Sequence, residues 1–177
     1  MKSVTPSNSF PKVLRIGTAQ SSLRYRKVPQ RYAVHGPLPP SLNVDIELVF
    51  EDGAITICRG RPPSPANLPA PLRVTPLYAA DPHGPAAVPT GQVFIRFKPE
   101  INAESRRRMV ADQGYAMVQI PSYAPHTAWV QASNGDIATS LINAERLMQL
   151  PDVEHVAPQL LTPRRSRSAT ENALALE

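Results

Sequence analysis

Hydrophobic and polar side chains alternate from Asn43 to Phe50: Val44, Ile46, Leu48 and Phe50 fall on one face, Asp45 and Glu47 on the other. Glu51-Asp52-Gly53 supplies a turn, and Ile55 and Ile57 carry the alternation on to Arg59. Residues 41–60 are therefore expected to form a β-hairpin. A lone hairpin is marginal in water, so this one needs a surface to dock on.

A longer pattern begins at Gly91. Val93, Ile95 and Phe97 alternate with Phe94 and Arg96 in a strand that Pro99 ends. Asn102 is placed to cap a helix running to about Gln113, with Glu104 in the first turn where the helix dipole favours negative charge. Gly114 stands where a left-handed stop is wanted. Tyr115–Ile120 and Thr127–Ala132 read as two more strands. Ser133-Asn134-Gly135-Asp136 then starts a second helix whose apolar face is Ile137, Leu141, Ala144, Leu147 and Met148. After Pro151, Val153–Ala157 reads as a short fourth strand.

This order, β-α-β-β-α-β, predicts an α+β class with a ferredoxin-like antiparallel sandwich, both helices on one face of four strands. The helix side would take Val93, Ile95, Phe97, Ala116, Val118, Ile120, Ala128 and Val130. The reverse would carry Phe94, Tyr115, Met117 and Trp129, which is too apolar for a solvated surface and marks a contact. The contact is either an external partner or the hairpin of this same chain.

Composition separates the two halves. Of 21 prolines, 15 precede Thr90, a density that forbids helix and central strand over residues 61–90. The net charge of +5 also belongs to the first half: residues 1–90 hold 10 Lys and Arg against 5 Asp and Glu, residues 91–177 hold 9 of each. The expected organisation is a basic, poorly ordered arm (1–40), the hairpin (41–60), a proline-rich linker (61–90), the ferredoxin-like domain (91–162) and a C-terminal tail (163–177). The single cysteine, Cys58, rules out an internal disulfide and a thiolate metal cluster, and in its apolar run it reads as a small buried hydrophobe. No stretch reads as a secretory leader or a membrane span, so a cytoplasmic location is expected, with export left open.

Three features together resemble the propeptide (inhibitor) family of subtilisin-like serine proteases. They are the strand and stop at Val93–Pro99, the helix closing on Gly114, and the ending LMQLPDVEHVAPQ at Leu147–Gln159. The resemblance covers about residues 91–162. It implies an inhibitor and intramolecular chaperone that docks on its protease through the helix-free face of the sheet and leaves its tail in the substrate cleft like a cleaved product. On this sequence the implied docking face is Phe94, Tyr115, Met117 and Trp129. The implied cleft-binding tail is Leu160 to Arg165, with Thr162, Pro163, Arg164 and Arg165 in the last four subsites. The bland reading of the same basic run is a solvated tail. Family members commonly end the last strand with acidic residues that cap helices of the protease; Ala157, Pro158 and Gln159 stand there instead.

An enzyme is not expected. No Gly-rich serine loop accompanies Val34-His35-Gly36, the four histidines (His35, His83, His126 and His155) lack metal-ligand spacing, and no phosphate-binding glycine loop occurs. Neither cofactor nor metal is expected. The alternative reading is a non-catalytic ferredoxin-like binding module for nucleic acid, with bases stacked on the aromatic strand Gln92–Phe97. A charge-neutral second half argues against it.

Overall fold

The computed structural model describes residues 9–163, apart from 19, 51–52 and 65–66. In chain order these form β1 (Val13–Gly17), β2 (Ser22–His35), β3 (Asp45–Phe50), β4 (Ile55–Arg59), β5 (Arg73–Ala79), β6 (Val88–Phe97), α1 (Arg107–Asp112), β7 (Tyr115–Gln119), β8 (Thr127–Ala132), α2 (Ile137–Leu147) and β9 (Val153–Leu161). A single 3-10 turn, Ala103–Arg106, leads into α1. Asn102 caps that turn by accepting from the Glu104 amide at 2.9 Å, and Asp136 caps α2 by accepting from the Thr139 amide at 2.8 Å. Each short polar side chain satisfies a donor that the helix itself leaves open.

All nine strands belong to one antiparallel sheet with neighbours β3-β4-β2-β1-β9-β6-β8-β7, and β5 lies along the other edge of β2. The long strand β2 is the organiser. Its first half pairs with β1 from Ser22 to Arg26, and its second half pairs with β4 from Arg31 to His35. The pairings also run round a ring: β2 to β1, β1 to β9 at Gly17–Val156, β9 to β6, Ala87 ahead of β6 to Tyr78 of β5, and β5 back to β2.

Two main cores follow. Val93, Ile95 and Phe97 of β6, with Ala128 and Val130 of β8 and Val156 of β9, pack against Val110 of α1 and Ala144 and Leu147 of α2. Ala33, Ile55, Ile57, Leu77 and Val88 form the other, with Leu161 packed against it. A smaller cluster bridges the halves, Leu14 and Tyr78 closing over Ile137 and Leu141 of α2. Gly91 sets how closely α2 approaches β6. Its φ is +89°, and a Cβ there would stand 3.1 Å from Ile137 Cγ1 and 3.3 Å from Ile137 Cα, so only glycine satisfies both backbone and space.

These findings overturn the ferredoxin-like α+β sandwich with a proline-rich extension. The described residues are mostly antiparallel sheet, 45% strand and 15% helix, curled into a half-barrel. The order strand, helix, strand, strand, helix, strand does occur within residues 88–161, but not as a free layer of four strands. The outer edge of β9 is taken by β1, and one end of α2 is covered by the N-terminal half. The arm expected to be unordered supplies β1 and β2, and the expected linker supplies β5 and the first residues of β6. The hairpin at 41–60 is present as β3 and β4, paired antiparallel. Among the described residues no helix is long and apolar enough to cross a membrane.

Candidate docking face

The side of β6 that points away from α1 and α2 carries Gln92, Phe94 and Arg96, since Val93, Ile95 and Phe97 point into the core. Register then fixes the neighbours. Phe94 lies opposite Trp129 of β8 and Ala157 of β9, Arg96 opposite Thr127 and His155, and Gln92 opposite Gln131. Directly opposite residues of an antiparallel pair point to the same side, so these side chains make three rows across three strands. The middle row is apolar.

Phe94 and Trp129 meet edge to face, ring centroids 5.3 Å apart at 62°, and the His155 imidazole approaches Phe94 from the other side at 6.2 Å and 61°. Such T-shaped packing places positive ring edges against negative faces and fixes the three rings relative to one another. All three remain half-buried. Burial and then the Arg96 guanidinium hold the His155 imidazole below its ordinary range, so the ring is neutral at pH 7. Arg96 itself is 3.5 Å from a Glu154 carboxylate oxygen. Further along β9, Thr90 donates to Gln159 at 2.7 Å, tying the amide row to the start of β6. Ala116 of β7 lies opposite Gln131 and is exposed, and Val118, in a bulge between Met117 and Gln119, is 47% exposed beside it.

Phe94 and Trp129, both expected on this face, are brought together on it. Tyr115 and Met117 are not. Tyr115 is 1% exposed, and its hydroxyl donates to the Ser140 carbonyl in the core; Met117 packs against the same cluster beneath the helices. Burial pushes the Tyr115 phenol well above its ordinary value. Ala116 and Val118, expected beneath the helices, are the exposed ones, and Ile120 returns to the core after the bulge. The phase of β7 is set by the turn at Gly114 and by that bulge, and the apolar run Tyr115–Val118 leaves it open.

Of the expected tail, Leu160 belongs to β9 and pairs with Pro89, Thr162 is exposed just beyond the strand, and Pro163 follows it. Arg164 and Arg165 lie outside the described residues. His155 was missing from the expected face, although strict alternation back from Ala157 along β9 would have put it there. Its place beside Phe94 depends on the pairing of β9 with β6, which a lone sequence does not give. Neither known protein families, nor curated proteins, nor solved structures include a match to this chain.

Proposed function

We propose that this chain is a propeptide-like inhibitor and folding chaperone of a subtilisin-like serine protease, docking through the face of Phe94, Trp129 and His155 and placing the residues beyond β9 in the substrate cleft. The carrying observation is the Phe94–Trp129 pair. Two large apolar rings are locked edge to face on the side opposite both helices and left half-buried, where an apolar partner surface can complete their burial. The flanking rows suit such a partner: Gln92 and Gln131 offer neutral hydrogen bonding, and Arg96 is offset by Glu154. The last strand continues from this face to Leu161, so a segment past it leaves from the same strand that carries His155 and Ala157. Binding the folded protease in preference to its unfolded chain would stabilise it by mass action, which is the chaperone part of the proposal.

Nucleic-acid binding fits less well. A base-stacking platform needs flat, available rings and free cations, whereas these rings engage one another by their edges and Arg96 is ion-paired.

Steady-state cleavage of a chromogenic peptide by subtilisin, titrated with the full chain, tests the proposal. Inhibition should be saturable, weaken about tenfold or more for Trp129→Ala, and be unchanged for Arg108→Ala on the exposed side of α1. Equal effects of the two variants, or no inhibition at all, would reject it.

A further inference from the structure

Strand β2 leaves its regular course between Lys27 and Tyr32. Lys27 lies opposite Tyr78 and Tyr32 opposite Pro76, so β2 advances five residues while β5 takes two. The bulge holds Gln30 in the left-handed region at φ +54°. Pro29 on one strand and Pro76 on the other lack the amide that would close the gap. A wide bulge of this kind is a feature that a fold keeps for a reason, often beside a site.

The bulge opens a cavity of about 380 Å³, within the range of small-molecule sites. The flat rings of Phe10 and Tyr32 and the apolar rings of Pro62 and Pro63 contribute to its walls, and Lys27 runs along one side. Lys27 also lines a second cavity, of about 360 Å³, across the bulge.

The charge at this spot is out of balance. The β1–β2 register, with Val13 opposite Arg26, brings Lys12 opposite Lys27, and the Lys27 amide donates to the Lys12 carbonyl at 3.2 Å. Like charges directly opposite across a ladder repel. Neither ammonium forms an ion pair among the described residues, whereas Arg31, on the same cavity wall, is engaged by Glu47 and Arg15 by Glu145. Burial, and then Lys12, lower the Lys27 pKa, which fits an ammonium lacking a counter-ion.

We infer that the β2 bulge cavity binds a small carboxylate carrying a flat apolar body, with Lys27 as counter-charge, Lys12 opposite it adding to the local positive field, and the rings of Phe10 and Tyr32 as the seat of the body. The inference is independent of protease docking, since the cavity is built by β2, β5 and the proline-rich loop and not by the face of Phe94 and Trp129.

Titration of the isotope-labelled full chain with phenylacetate, followed by amide chemical shifts, tests it, with phenylacetamide and acetate as controls. Phenylacetate should give saturable shifts at Val28, Tyr32 and Thr75, and each control should bind about tenfold more weakly or worse. Lys27→Gln should weaken phenylacetate about tenfold and Lys12→Gln less, while both melt no lower than the parent chain, because each removes a like-charge pair. No saturable shift up to about 20 mM, equal binding of phenylacetamide, or unaltered binding by Lys27→Gln would each overturn the inference.

Discussion

The Tyr115 hydroxyl donates to the Ser140 carbonyl, and the Ser140 hydroxyl accepts from the Ala132 amide at 2.7 Å, so one pair of residues ties β7 and β8 to α2. Both side chains are almost fully buried. Removing the phenol oxygen leaves the ring in place and loses one buried hydrogen bond to a carbonyl already in the α2 ladder, whereas removing the ring opens a cavity. Tyr115→Phe should cost about 1–2 kcal/mol and Tyr115→Ala about 3–5 kcal/mol in urea unfolding. Tyr115→Phe should leave protease inhibition as it is, which separates the core tyrosine from the docking aromatics; a Tyr115→Phe variant that inhibits tenfold less would put the ring back on the interface.

Phe94→Ala and Trp129→Ala predict the opposite pattern. Each ring is half-buried, so the loss in stability should be modest, about 1–2 kcal/mol, including the edge-to-face contact. The double variant should lose less than the sum of the two, since each single change already removes the shared contact. Strict additivity in denaturant melts would show that the two rings do not interact.

Gly91→Ala meets both a left-handed backbone and the body of α2. The expected cost is about 2 kcal/mol or more, read as a drop in the unfolding midpoint at constant slope. Gly114→Ala has the backbone penalty, φ +82°, without any neighbour within 4 Å, and should cost about 1 kcal/mol. Equal losses at the two positions would mean that the Ile137 contact is absent.

His35 supplies a pH dependence. Its ring nitrogen lies 3.0 Å from the Thr75 hydroxyl, and burial, then Arg73, lower its pKa to about 4. Above pH 6.5 the ring is neutral in both folded and unfolded chains, and its contribution is intact. As the pH falls from 6.5 towards 4 the unfolded chain takes up the proton first, so stability is lost over that window, on the order of 2–3 kcal/mol in full. His155 adds a smaller loss of the same sign. Urea midpoints at pH 7 and pH 5 should differ clearly for the parent chain and much less for His35→Gln.

The correction of the fold also makes a prediction. A fragment starting at Gly91 keeps four strands and both helices but loses Leu14 and Tyr78 from the cluster around Ile137 and Leu141, together with the partner of Val156. It should unfold with a shallower, less cooperative transition than the full chain and expose apolar surface to a hydrophobic dye. A fragment as stable as the parent would restore the independent domain.

What could be read from the sequence was what is local. Asn102 and Asp136 act within three residues, so both helix starts are legible, as are Thr127–Ala132 and the face of α2. The hairpin of β3 and β4 is legible for the same reason. β1, β2 and β5 were hidden, because β2 carries a bulge that breaks its period and β5 contains a proline, and their pairing depends on partners far along the chain. Within the candidate site, Phe94 and Trp129 could be placed by alternation in regular strands. Tyr115 could not, because both it and Ala116 are apolar and the phase of β7 turns on a glycine and a bulge.

The pairing of Gly17 with Val156 joins the first described strand to the last and closes the ring of pairings. During synthesis, then, β1 has no neighbour on its outer side until β9 has emerged, and Leu14 and Tyr78 wait for α2 to cover them. Closure of the ring should accordingly be the last step, after the strands on either side of β2 have paired.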